Sequence, residues 1–282
     1  MSTIDLKQAA VQVREVRLHS IVGYNGSASD LVRCSRSGRL CDRGRSFSQG
    51  ITCNASTALC QLSMIVDAAI VSHAPVGCAG DFPRYHFTYR TGQSERKMPS
   101  LVGRYFSTNL QEEDTVFGAV QKLEETVRNV YRRVKPKAIF VLTSCASGII
   151  GEDIESSAND LTEELGIPVI PCICEGFRSK IWTSGFDAAF HSVVRGLVQP
   201  PRRKTNKVNI VNFFGSHVFD DLLHRLGYEP NYIVPFSSVD DLRYVSEASA
   251  TIQICHTLGS YFGAALEQIY NVPEIKSPPA YG

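Results

Sequence analysis

The stretch "AIFVLTSCASGIIGEDI", residues 138–154, decides the fold class of this chain. It opens with a largely apolar run of the kind that forms a strand buried on both faces of a parallel sheet. Cys145 follows the run directly. The same arrangement occurs earlier, where the run "MIVDAAIV" precedes "SHAPVGCAGD" and Cys78. Two cysteines placed behind apolar runs in this way indicate a functional site.

Strand and helix patterns alternate on both sides of this stretch. Helical periodicity occurs at residues 112–134, 156–166, 219–227 and 258–271. Apolar runs typical of buried strands occur at residues 138–144, 167–174, 208–214, 232–236 and 251–257. This alternation predicts an α/β protein, with parallel sheets and crossover helices in two units. The Pro- and Arg-rich residues 200–205 lie between the units, so we expect an N-terminal extension at 1–52 and domains at 53–204 and 205–282.

Composition narrows the class of protein. The chain has 282 residues, of which 43% are hydrophobic, enough for one large core or two domains. No apolar run approaches the length of a membrane span, and the first residues lack the apolar core of a secretory signal. We therefore expect a cytoplasmic protein that acts away from membranes. With 29 basic and 28 acidic residues, the charge balance indicates no nucleic-acid partner.

Nine cysteines are many for a cytoplasmic chain. Disulfides do not persist in that compartment, where clustered thiols more often hold metals or take part in chemistry. Cys60 lies in an apolar periodic segment, which favours a plain packing role. A zinc site is disfavoured, because Cys172 and Cys174 form a CxC pair rather than the usual CxxC.

The placement of the other cysteines favours an iron–sulfur site. Cys145, Cys174 and Cys255 follow predicted strands, where ligands of open α/β sheets bind. Cys53 and Cys78 flank a helical segment instead, and Cys78 lies in a turn whose glycines let the backbone approach a bulky group. Widely spaced thiolates on rigid loops suit iron, which prefers soft sulfur ligands.

Four segments carry a resemblance to a known family. In order, "SHAPVGCAG", "EEDTVFG", "TSCASGIIGEDIES" and "CEGFRS" resemble the α-type (D-type) subunit of the nitrogenase component 1 family. This implies that Cys53, Cys78 and Cys145 hold a P-cluster, an eight-iron, seven-sulfur relay shared with a β-type (K-type) subunit. The segment "TIQICHTLGSYFGAALEQIYNVPEI" resembles the one whose cysteine binds an outer iron of the active-site cofactor, here Cys255. That cofactor would be FeMo-co-like or iron-only.

The resemblance also implies partners. Family members form α2β2 complexes and receive electrons from an iron protein that uses ATP. "EEDTVFGAV" is similar to the stretch that presents a phenylalanine to this iron protein, which would be Phe117. Helical periodicity alone favours a core position for Phe117. Family chains continue into a further α/β domain, so we expect this sequence to be a fragment of a longer subunit.

Departures from the family pattern bear on the substrate, a small molecule. Trp182 and Phe186 occupy positions where nitrogenases place a glutamine and a histidine, and His86 or Arg84 occupies that of an arginine near the cofactor. Large apolar groups thus replace proton donors beside the substrate. This combination resembles methylthio-alkane reductases, which cleave C–S bonds of small thioethers. The alternatives are a scaffold for cofactor assembly, a dinitrogen-reducing nitrogenase, and a binding subunit without metal.

Overall fold

The computed structural model describes residues 3–18, 26–37, 52–80, 90, 92–98, 104–212 and 217–275. Two short helices come first, α1 (Arg14–Arg17) and α2 (Ala28–Arg36). Two four-stranded sheets follow, and every strand pair in both of them is parallel. The predicted α/β class with parallel sheets is thereby confirmed.

The first sheet has the strand order β2-β1-β3-β4. Its strands are β1 (Ala68–His73), β2 (Tyr105–Ser107), β3 (Ala138–Thr143) and β4 (Val169–Cys172). The helices around it are α3 (Asn54–Leu62), α4 (Glu112–Phe117), α5 (Val120–Val134), α6 (Cys145–Ile150), α7 (Ile154–Leu165) and α8 (Ser184–Gly196). Short 3-10 turns follow β1 (Val76–Ala79) and β4 (Gly176–Arg178).

Both faces of the first sheet are covered, as its apolar strands require. Side chains of a strand alternate between faces, so β3 sends Ile139 and Val141 to one side and Phe140 and Leu142 to the other. Helices α5 and α7 cover the first face, through the apolar stripe Leu123, Val127, Val130, Ile154, Ala158 and Leu161. Helices α3 and α8 cover the second face.

The second sheet has the order β6-β5-β7-β8. Its strands are β5 (Lys207–Val211), β6 (Glu229–Ile233), β7 (Ala250–Gln253) and β8 (Glu274–Ile275). Its helices are α9 (Asp220–Arg225), α10 (Val239–Arg243) and α11 (His256–Tyr270), with a 3-10 turn at Val245–Glu247.

Helix α8 joins the two sheets. Phe190 of α8 stacks on Phe262 of α11 with ring centroids 4.7 Å apart. At the start of α8, a Cβ added to Gly185 would lie only 2.2 Å from the carbonyl oxygen of Asn54, so α3 and α8 pack at backbone contact. One buried core therefore contains residues from both sheets. The division into domains at residues 204 and 205 stays a prediction.

Several element bounds differ from the sequence-based prediction, and three differences are the most informative. The single helix expected at 112–134 is two helices, because Gly118 adopts a φ of +84° between α4 and α5. The strand expected at 251–257 ends at Gln253, and α11 begins at His256. Strand β6 ends at Ile233, before Pro235, which has no N–H to donate to a sheet.

Within the described part of the chain, no helix is both long enough and apolar enough to cross a membrane.

Candidate functional site

The first sheet brings Cys78 and Cys145 to one place through its topology. The chain leaves β1 toward β2 on one side, and β3 pairs with β1 on the other. Loops that follow two such strands diverge at their carboxyl ends and leave a crevice for ligands. The turn after β1 carries Cys78, and the loop after β3 leads directly to Cys145, the first residue of α6.

Ser144 fixes the direction in which the chain leaves β3. Its hydroxyl donates to the carbonyl oxygen of His73 at 2.8 Å, which ties the end of β3 to the end of β1. The same hydroxyl accepts from the backbone N–H of Ser147 and so caps α6. The two cysteine loops are therefore held together by a buried hydrogen bond as well as by the sheet.

Cys53 reaches the same crevice from α3, whose N-cap it forms. Gly176, in the turn after β4, lies between Cys53 and Cys145. A Cβ at residue 176 would be 3.2 Å from the Sγ atom of Cys145 and 3.6 Å from the Sγ atom of Cys53. A side chain at this position would therefore fill the space beside both sulfur atoms.

The three thiols are close enough to interact electrostatically. Burial raises the pKa of the Cys78 thiol, and the neighbouring Cys53 and Cys145 raise it further. All three cysteines are nevertheless exposed at the surface of the chain. We refer to Cys53, Cys78 and Cys145 as the cysteine triad.

The donor set of the triad fits an iron–sulfur cluster. Thiolates are the usual ligands of such clusters. The iron ions of a bound cluster would supply positive charge, which would offset the repulsion between three neighbouring thiolates. Among the described residues, no three Cys, His, Asp or Glu side chains lie close enough together to hold a single metal ion. The spacing of the triad thus does not match a one-ion site.

Cys172 and Cys174 behave differently from the triad. Both are fully buried, and Cys174 donates a hydrogen bond to the carbonyl oxygen of Thr143 at 3.4 Å. A hydrogen bond with Cys172, together with burial, raises the pKa of the Cys174 thiol. This pair is part of the core beneath the triad. Cys60 is half-buried and packs against the same core, as its sequence context predicted.

A second site candidate lies at the second sheet. Here β5 is flanked by β6 and β7, so the crevice between diverging loops falls beyond β5 and β7. Cys255 follows β7 and is the N-cap residue of α11. It is half-buried. The structure therefore places Cys255 just after the end of β7, beside the point where the loops after β5 and β7 diverge.

Trp182 and Phe186 form an apolar pair at the start of α8. Their rings meet edge to face with centroids 6.0 Å apart, and Phe186 is buried. Arg14 links this region to Cys255, because its guanidinium contacts Asp187 of α8 and donates to the carbonyl oxygen of Thr257 in α11. The first turns of the two helices are thus neighbours. His86 and Arg84 lie outside the described residues.

Phe117 is at the surface, so the core position that helical periodicity favours for it is wrong. Its side chain is 88% exposed at the end of α4, beside the exposed Val116. Ile149 of α6 is exposed as well, and α4 and α6 are in contact. We call Val116, Phe117 and Ile149 the apolar patch. It adjoins the helix that begins at Cys145.

A buried His–Glu pair connects the apolar patch to the triad, and sequence reasoning missed it. Glu152 accepts a hydrogen bond from the backbone N–H of Ala119 and pairs with Nε2 of His73 at 2.7 Å. Burial lowers the pKa of His73, although Glu152 opposes the shift. Asp153, by contrast, caps α7 as its sequence position suggests. The pattern "GED" alone does not distinguish the two carboxylates.

Comparison with known proteins identifies relatives of the chain. Residues 53–282 match the family described as nitrogenase component 1 type oxidoreductase. The chain is 28% identical over 225 residues to the nitrogenase molybdenum-iron protein alpha chain of Clostridium pasteurianum, covering 75% of this chain and 41% of that protein. It is 31% identical over 225 residues to the nitrogenase iron-molybdenum cofactor biosynthesis protein NifE of Methanococcus maripaludis, covering 76% and 45%.

The fold agrees with a solved structure, nitrogenase Cp1 at pH 6.5. The TM-score is 0.69 at 24% sequence identity, over 84% of this chain and 47% of that one. The chain spans about half the length of the relatives that it matches.

Proposed function

The chain belongs to the nitrogenase component 1 family of oxidoreductases, and from this premise we propose that it is the α-type catalytic subunit of a nitrogenase-like metalloenzyme. In this proposal an iron protein that uses ATP delivers electrons, which pass through a P-cluster-like relay to a complex iron–sulfur cofactor. A small substrate is reduced there. The observation that carries the proposal is the convergence of three exposed thiols: Cys53 and Cys145 lie on either side of Gly176, and both are near enough to raise the pKa of Cys78.

The cysteine triad would hold the relay cluster. When bound, such a cluster stores and passes single electrons. Because the three thiols are exposed on this chain, we infer that a β-type subunit covers them and completes the site in an α2β2 complex. Ser144 and the register of β1 with β3 hold Cys78 and Cys145 in place without the partner.

Cys255 would bind the catalytic cofactor, either FeMo-co-like or iron-only. A thiolate at the crevice of the second sheet is a suitable ligand for iron. Trp182 and Phe186 would line the adjacent substrate side, to which the resemblance to the family also assigns His86. Their apolar surface excludes water and favours an uncharged substrate such as a small thioether, as in methylthio-alkane reductases.

The apolar patch would dock the iron protein. Val116, Phe117 and Ile149 are exposed on two helices that are in contact, and grouped exposed apolar side chains mark interaction sites. The patch adjoins α6, which begins at Cys145, so a partner bound there would lie near the relay. An iron protein docked on the apolar patch would transfer its electron to the relay over a short distance.

A scaffold for cofactor assembly is the second candidate. The similarity to NifE, at 31% identity, supports it as directly as the similarity to the alpha chain supports an enzyme. A scaffold would keep the cysteines yet have no need of proton donors, which agrees with Trp182 and Phe186. A dinitrogen-reducing enzyme is the third candidate and agrees less well with these two side chains.

Turnover separates these candidates. The full native complex, isolated anaerobically with its iron protein, ATP and reductant, should release hydrocarbon and methanethiol from dimethyl sulfide or ethyl methyl sulfide. Loss of these products when the iron protein is omitted serves as the control. Transfer of a cofactor to a second protein without any turnover would instead establish the scaffold role. Ammonia from dinitrogen would establish the third candidate.

A further inference from the structure

Three charged side chains form a buried cluster between the N-terminal segment and α8. Asp187 is completely buried, and Arg14 contacts it through Nε at 3.0 Å and Nη2 at 2.9 Å. Arg17 contacts the same carboxylate through Nη2 at 2.5 Å. Arg14 and Arg17 are themselves at most 5% exposed. Two cations therefore share one anion, which leaves a net charge of +1 inside the protein.

Arg17 carries the unbalanced part of this charge. Arg14 directs two of its nitrogens at Asp187 and also donates to the carbonyl oxygen of Thr257. The Nε and Nη1 atoms of Arg17 are buried without an acceptor in the described part of the chain. The ring of Tyr261, 5.4 Å from the guanidinium carbon, offers only partial compensation. A buried cation with unused donors is costly and indicates a missing anionic partner.

A cavity of about 370 Å³ lies next to Arg17. Residues 3–12 form one wall, and His191 and Tyr261 form the other. The Nε2 atom of His191 lies 2.7 Å from the carbonyl oxygen of Gln8, so it is the protonated nitrogen, and Nδ1 accepts from the hydroxyl of Tyr261. Both side chains are thus engaged and uncharged, since burial lowers the pKa of His191 and raises that of Tyr261. Asp5 also lines the cavity; its carboxylate is exposed, accepts from the backbone N–H of Lys7 at 2.9 Å and acts electrostatically on His191 and Tyr261.

We propose that this cavity binds a small organic carboxylate whose negative charge pairs with Arg17. Its volume falls within the range of small-molecule sites, about 300–1,000 Å³. The walls combine apolar and polar surface with the buried guanidinium of Arg17 on one side and the exposed carboxylate of Asp5 on the other, so a ligand's carboxylate would face Arg17. The site goes beyond the proposed metalloenzyme function, because none of the described residues that line the cavity is a cysteine and most of them, within residues 3–17, precede the family match at 53–282.

Calorimetric titration of the full chain with sodium butyrate at constant ionic strength tests the proposal. Butyramide, which has the same length and no charge, is the matched probe. We expect saturable binding of butyrate and at least about tenfold weaker binding of butyramide, because a buried charged hydrogen bond is lost. Absence of saturable butyrate binding, or equal binding of the two probes, would overturn the proposal.

Two variants locate the site. Arg17→Met should weaken butyrate binding by about tenfold or more, whereas Arg33→Met, which removes an exposed arginine of α2, should leave it unchanged. Cys255→Ser should also bind butyrate like the wild type, which keeps this test separate from the cofactor proposal. An Arg17→Met chain that binds butyrate normally would contradict the assignment.

The unfolding temperature of Arg17→Met without butyrate gives a second readout. The substitution leaves Arg14 and Asp187 as a balanced pair, so the midpoint should equal or exceed that of the wild type. A clear fall in the midpoint would mean that Arg17 is needed for stability and that its charge is already balanced. That result would refute the inference that Arg17 lacks an anionic partner, without any ligand being needed.

Discussion

Gly176 shows how a single residue shapes the cysteine triad. It leaves the space beside two sulfur atoms free, so Gly176→Ala should place a methyl group against the cluster ligands. We expect lower iron content per chain with little change in the fold, because the residue lies in a surface turn. Iron and protein assays on anaerobically purified complex measure the effect.

Gly77→Ala is the matched control for this substitution. It alters the turn that carries Cys78, but a Cβ at residue 77 would meet no atom within 4 Å. Its iron content should equal that of the wild type. Equal iron content in the Gly176→Ala variant would show that the space beside the sulfurs is not used.

Phe186 is the residue with which the substrate proposal is tested most simply. Phe186→His restores an ionisable group beside Trp182, so the variant should reduce thioethers less and protons or dinitrogen more. Gas chromatography of the products gives the ratio. Phe186→Leu keeps the pocket apolar and should preserve the product pattern. An identical pattern in all three proteins would remove Phe186 from the substrate side.

Residue-level prediction from sequence worked where a local pattern accompanied the residue. Cys145 and Cys255 follow runs predicted as strands, and the structure places each just after the carboxyl end of a strand. Cys78 was expected beside a helical segment and lies instead in the turn after β1. The buried cluster of Arg14 and Asp187 gave no such signal, because its members are far apart in sequence and each looks like an ordinary surface charge. Long-range pairing of this kind depends on the tertiary packing of α8 and α11.

Helix α4 presents Phe117 to solvent, so removal of the Phe117 side chain should cost no packing energy. Phe117→Ala should change the free energy of unfolding by less than about 0.5 kcal/mol. Turnover that depends on the iron protein should nevertheless fall, because the apolar patch loses its largest side chain. Leu222→Ala, which shortens an exposed residue of α9, is the control and should leave turnover unchanged. Cluster loss in the Phe117 variant would instead indicate a structural role.

Helix α8 holds the N-terminal segment through His191, and this contact should depend on pH. Burial lowers the pKa of His191 in the folded chain below its unfolded value of about 6.5. The contribution of His191 to the free energy of unfolding is therefore complete above about pH 6.5. It is lost as the pH falls toward the pKa of His191 in the folded chain, because the unfolded chain takes up the proton first. We expect His191→Gln to flatten the dependence of stability on pH between about 7 and 5.

Urea midpoints measured across this range test the expectation. His224→Gln, which alters an exposed histidine of α9, should leave the slope as it is in the wild type. Parallel curves for the wild type and His191→Gln would show that His191 does not titrate as its burial predicts.

Elements were predicted better than their ends. Helix α7 stops at Gly166 as expected, because a glycine with a φ of +67° caps it. The break at Gly118 was missed, since the apolar stripe of α5 continues the period of the residues before it. A glycine inside a helical pattern is compatible with a continuous helix and with a break between two helices. Here the backbone N–H of Ala119, the residue after Gly118, donates to Glu152 at the break.

At the scale of the whole molecule, two parallel sheets each place a cysteine site at the point where their loops diverge. The cysteine triad lies at the first sheet and Cys255 at the second, and α8 connects the two sheets through their common core. In the proposed function, electrons would pass from the first of these sites to the second. Sequence could predict the two units from the alternation of elements, whereas the shared core required the contacts of α8 with both α3 and α11.

The central claim is that Cys53, Cys78 and Cys145 bind one iron–sulfur cluster at the boundary with a β-type subunit. The most direct measurement is the iron content and the paramagnetic resonance spectrum of the anaerobic complex, oxidised stepwise, for the wild type and Cys145→Ala. We predict a cluster signal in the wild type that disappears in Cys145→Ala together with its iron and with assembly of the complex. Full iron content and an unchanged signal in Cys145→Ala would contradict the claim.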